Sequence, residues 1–140
     1  MKNILFISIF FICVSCKKNN FEERVFEDVS NSGKLEIDLK NYTDFEWDTV
    51  YVFHTVCNLE NVQSITGFKY GNYEEFTRPL IFIKNGKIVF FENRKSNFEG
   101  IINEQFVYKN GSYSIRNKED SKFKVKIEES DNKKYLLIYD

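Results

Sequence analysis

From Gly33 onward the apolar residues recur mainly at every second position, which is the period of a strand with one face buried. Leu35, Ile37 and Leu39 alternate with Lys34, Glu36, Asp38 and Lys40, predicting a half-buried strand. The run TVYVFHTV is apolar on both faces and reads as a central strand. The period then changes. Leu59, Val62 and Ile65 fall on one side of a helix, Asn58 can cap its start above Asn61, and Gly67 can end it. Three hairpins are expected next. Asn85-Gly86 separates the apolar runs of LIFIKNGKIVFF, and Asn110-Gly111 repeats the device in FVYKNGSYSI. The third, KFKVKIEESDNKKYLLIYD, has a longer polar turn around Ser130 to Asn132. Its first strand turns Phe123, Val125 and Ile127 inward and Lys122, Lys124, Lys126 and Glu128 outward, and those lysines would protect a sheet edge. The expected class is α+β and mainly β: a curved antiparallel sheet of about eight strands with one short helix across a face, a small β-barrel or sandwich being the alternative.

The first residues follow another pattern. Lys2 precedes an apolar run from Ile4 to Val14 broken only by Ser8. A spanning helix needs about 20 apolar residues, so this run has the length of a signal-peptide core instead. It ends in Cys13-Val14-Ser15-Cys16, which resembles the bacterial lipobox, with Cys13 where leucine is usual. The resemblance implies cleavage before Cys16, a diacylglycerol on its thiol and an acyl group on its new amine. Two or three chains on one residue anchor firmly where one binds reversibly. Lys17 stands where aspartate would signal inner-membrane retention, which by analogy points to the outer membrane, facing the periplasm or the cell surface. The expected organisation is a signal peptide over 1–15, a lipidated cysteine with a polar tether over 16–32, and one β-rich domain over 33–140. FEERVFEDV within that tether can place Phe21, Val25, Phe26 and Val29 near one helical face, but its polarity favours a tether.

Composition narrows the function classes. Of 140 residues, 42% are hydrophobic and 17% aromatic, so the chain folds rather than staying disordered. A net charge of −1 leaves no basic excess to neutralise phosphates, which argues against a nucleic-acid partner. With Cys13 removed and Cys16 lipidated, Cys57 has no disulfide partner and is expected to be buried and inert.

Candidate chemistry is sparse. Asp44, Glu46 and Asp48 would share one face of a strand, where a solvated surface is favoured over a cation site. His54 is the only histidine, so no zinc site can be built on histidines; it reads as structural, with a general-base role as the competing reading. Cys57 lies three residues later in apolar company, which does not suit a nucleophile. No cofactor is implied. Two connections rich in aromatic and basic residues are the binding candidates: Tyr70, Tyr73 and Phe76 in one, Arg94 and Lys95 in the other.

Phe45 to Phe53, FEWDTVYVF, followed by a short helix and the LIFIKNGKIVFF hairpin, is similar to a group of small bacterial lipoproteins and secreted proteins with the pattern F-x-W-D-x-[VI]-Y-[VI]-F. The resemblance spans residues 35–92 and brings no activity and no catalytic residues. It implies Trp47, Tyr51 and Phe53 in the core and Asp48 satisfying turn or backbone donors. The function expected is a membrane-anchored binding module with a protein or glycan partner. An immunity or inhibitor lipoprotein and a small hydrolase using His54 are the alternatives.

Overall fold

The computed structural model describes residues 20–95 and 106–139. The expected signal peptide and the expected anchor at Cys16 lie outside the described residues. The elements run α1 (Phe21–Ser32), β1 (Glu36–Asp38), a 3₁₀ turn (Leu39–Tyr42), β2 (Thr49–Phe53), α2 (Leu59–Thr66), β3 (Thr77–Lys84), β4 (Lys87–Lys95), β5 (Phe106–Tyr108), β6 (Tyr113–Asn117), β7 (Lys122–Ser130) and β8 (Lys133–Tyr139).

The fold is mainly β. The eight described strands form two sheets of four, in the orders β1-β7-β8-β5 and β4-β3-β2-β6. All named pairs are antiparallel except β5 with β8, which is parallel. Strand alternation sorts the second sheet into two faces. Val50, Val52, Leu80 and Phe82 join Phe123, Val125, Leu136 and Ile138 of the first sheet and Trp47 in one core. Phe53, Ile81 and Ile83 point the other way and pack with Val62 of α2 and with Tyr70. The architecture is therefore two sheets sharing a core, with α2 on the outer side of the second.

Residues 21–32 are not a tether. Asn20 caps α1 with a reciprocal capping box to Glu23, and Gly33 ends it in the left-handed region at φ 67°. Phe21, Val25 and Val29 are buried in the shared core, each contributing roughly 1.5–3 kcal/mol relative to exposure. Any tether is confined to the residues before Asn20, and the folded domain begins about a dozen residues earlier than its strand pattern suggests.

The strand pattern misleads at three further places. Leu35 is 74% exposed and stands just before β1, which is a strand of only three residues. Asn110-Gly111 does not close a hairpin: β5 pairs with β8 and β6 with β2, so this turn carries the chain from one sheet to the other. Only Gly111 takes a positive φ there (63°). The third hairpin has a two-residue turn, with Asp131 and Asn132 at φ 52° and 58°; β1 covers β7 only over Lys122–Lys124, so Lys122 and Lys124 guard no edge, while Lys126 stands past the end of β1.

The other local readings hold. Asn85 (φ 49°) and Gly86 (φ 70°) make the two-residue β3–β4 turn. Asn58 accepts from Asn61 N at 2.8 Å to start α2, and Gly67 ends it. β2 is central, and Trp47 and Phe53 are fully buried, while Tyr51 is half-buried.

Candidate functional site

Continuing the inner-face alternation of the second sheet past its apolar residues leads to polar ones. Val52 is followed by His54, Leu80 is preceded by Arg78, and Arg94 stands directly opposite Arg78. Two guanidinium groups side by side repel unless an anion lies between them. Glu22, in the first turn of α1, supplies it. Arg94 Nη1 donates to Glu22 Oε1 at 2.7 Å and Arg78 Nη2 donates to Glu22 Oε2 at 3.2 Å.

Arg94 is fully engaged. Its Nε donates to Arg78 O at 2.9 Å, its Nη1 also to Tyr108 Oη at 2.8 Å, and its Nη2 to the carbonyls of Phe53 and of Pro79, the latter at 3.3 Å. The guanidinium fork thus ties β2, β3, β5 and α1 together. Glu92, on the same face, accepts from Phe21 N at 3.1 Å, placing a carboxylate at the start of α1. Burial pushes the Glu92 carboxyl above the usual range, with the bond from Phe21 and nearby Arg94 opposing.

Beside this cluster the His54 ring stacks on Tyr108, centroids 4.2 Å apart and planes 6° from parallel. A carbonyl can only accept, so the contact of Nδ1 with Asn110 O at 2.8 Å places the ring proton on Nδ1. Nε2 then accepts from Ser114 Oγ at 2.8 Å. Burial lowers the His54 pKa, against the pull of the Asn110 and Gly111 carbonyls.

Only part of the sequence-derived site set is on the surface. Arg94 is buried, because it belongs to β4 rather than to a loop; Lys95, ending that strand, is exposed. Tyr70 is buried with its hydroxyl donating to Asn93 Oδ1 at 2.7 Å, and half-buried Tyr73 donates to Cys57 O at 3.0 Å. Phe76 is 58% exposed and holds φ 58°, an unusual conformation for an aromatic residue. Cys57 is half-buried rather than buried, and burial raises its thiol pKa.

Asp44, Glu46 and Asp48 precede β2 and are not on a strand. Glu46 pairs with Lys118 at 2.8 Å. Asp48 accepts from Lys84 Nζ and from Asn85 N, both at 2.8 Å, fastening the start of β2 to the β3–β4 turn. Among the described residues no three acidic, histidine or cysteine side chains are grouped to hold a metal.

Glu22, Tyr108 and Ser114 were not visible as site residues in the sequence. Glu22 alone left a signal: it lies at i−3 and i−7 from Val25 and Val29, on the apolar stripe of an amphipathic segment.

The open surface of the second sheet is at β6. This strand pairs with β2 on one side and with no second strand among the described residues. Tyr113 and Ile115 project from the face that carries α2 and are 41% and 46% exposed. The bonds His54 N to Ser112 O and Lys118 N to Asp48 O set the register of the ladder. They direct the backbone groups of Tyr113 and Ile115 away from β2, toward the free side.

No family model, curated protein or solved structure matches the chain. Its functional reading therefore rests on this geometry.

Proposed function

We propose that this protein is a lipid-anchored cell-envelope module that binds a partner protein through the β6 edge. The supporting observation is a strand edge that pairs with no second strand among the described residues and carries two exposed large side chains, Tyr113 and Ile115, on one face. Outward N–H and C=O groups can accept an added strand, and side chains at i and i+2 give such pairing its specificity. Phe76, an exposed aromatic held in a strained conformation, is a second anchor of the kind recognition surfaces use. The intact lipoprotein, used to capture partners from membranes, should retain one that Tyr113→Ser/Ile115→Lys loses. Equal capture by both forms would refute the reading.

The Ser114–His54 hydrogen bond favours one competitor, a hydrolase with Ser114 as nucleophile and neutral His54 as its base. Both side chains are buried, which opposes substrate access. Labelling by a fluorophosphonate that disappears in His54→Gln would decide for the hydrolase.

A further inference from the structure

We infer that the domain lies against the bilayer with the β4 edge facing lipid, so that Val89 and Phe91 meet the interface and Lys87 and Lys95 meet anionic headgroups. This rests on the reading of Cys16 as the lipidated residue. Cys16 is separated from Phe21, the first residue of α1, by residues 17–20 alone. Even fully extended, that stretch places the acylated residue within about 18 Å of Phe21. A domain of this length is about 35 Å across, so the anchor cannot reach every side of it.

The side it reaches is fixed. Phe21 N donates to both oxygens of Glu92 in β4, at 3.2 and 3.1 Å. α1 cannot swing free, because Glu22 is clamped by Arg78 and Arg94. Among the described residues β4 is an outer strand of its sheet. Val89, Phe91 and Lys95 each stand within three residues of Glu92, or about 10 Å along the strand. Val89 is 44% exposed, and Phe91, Lys87 and Lys95 are also exposed. Apolar side chains interspersed with lysines are the chemistry of an interfacial surface.

The orientation has a partner-side corollary. Among the described residues β6 is the opposite outer strand of the same sheet, three strand spacings or about 14 Å from β4, so Tyr113 and Ile115, which share a face with Phe91, lie farther from the anchor.

The test uses the acylated full-length protein in vesicles of equal phosphatidylethanolamine and phosphatidylglycerol containing a nitroxide-labelled lipid. With Cys57→Ser in the background, bimane is attached at Val89→Cys or at Ile115→Cys. The two native side chains have nearly equal exposure, 44% and 46%, so water accessibility does not separate them. Quenching at position 89 should exceed that at 115 several-fold, and Lys87→Glu/Lys95→Glu should reduce the difference. Equal quenching, or stronger quenching at 115, in protein that incorporates palmitate would overturn the orientation alone. Absence of Cys16-dependent palmitate would overturn the lipidation and the orientation together.

Discussion

Arg94 Nη1 donates to Glu22 Oε1 at 2.7 Å across 72 residues of sequence, joining the end of β4 to the first turn of α1. The same carboxylate takes Arg78, so a single side chain bridges two buried guanidinium groups. Removing it should be costly. Glu22→Gln keeps the shape and deletes the charge, and is expected to destabilise the domain by about 3–5 kcal/mol, the usual result of orphaning one side of a buried pair. Urea unfolding monitored by far-UV circular dichroism would measure this. A loss below about 1 kcal/mol would mean that the cluster is not buried in solution.

His54 predicts the pH dependence. Its folded-state pKa is depressed by burial, while the unfolded side chain titrates near about 6.5. The unfolded chain therefore binds the proton more readily in this window. The stability His54 contributes is fully present above the unfolded value and is lost as pH falls through it toward the depressed folded value. Melting temperature should drop between about pH 7.5 and 5, and His54→Gln should flatten that slope. An unchanged slope in the variant would assign the dependence to other groups.

Leu35 and Ile37 separate alternation from actual burial. Both lie in one apolar alternation, yet Leu35 is exposed and Ile37 is in the core. Leu35→Lys should change stability by less than about 0.5 kcal/mol, whereas Ile37→Ala should cost about 2–5 kcal/mol. Similar losses for the two would restore the longer strand that the pattern suggested.

Cys57 should label slowly. Burial raises its thiol pKa and half-covers the sulfur-bearing residue, so the folded protein presents little thiolate. A water-soluble maleimide is expected to react much more slowly with the native protein than in urea. Equal rates would show an open, activated cysteine.

The sequence told most where structure is set by neighbours in the chain. Asn58 and Gly67 bound α2, and Asn85-Gly86 turns the β3–β4 hairpin, because caps and tight turns are decided within four residues. The core positions of Trp47 and Phe53 came with the resemblance of the FEWDTVYVF stretch, which also implied Tyr51, a residue that is only half-buried. Asn110-Gly111 carries a similar local signal, yet its flanking strands part company. The distinction depends on β8 and β2, which offer better partners on either side. Arg94 failed for a related reason. A lone arginine near polar residues reads as surface, and nothing nearby announces that its counter-ion is 72 residues upstream. α1 was half legible: its apolar stripe was visible, but without Arg78 and Arg94 its glutamates made it look like a tether.

The Glu22 clamp also sets a timetable. α1 is the first described element of the chain, but the groups that fix it arrive at positions 78, 92 and 94. Closing so long a loop carries an entropic cost before any contact repays it, and folds dominated by distant contacts form slowly. The N-terminal helix is thus made early in synthesis and locked late. Until β4 is complete, Phe21 and Glu22 lack the partners that hold α1, and only the finished sheet seals it.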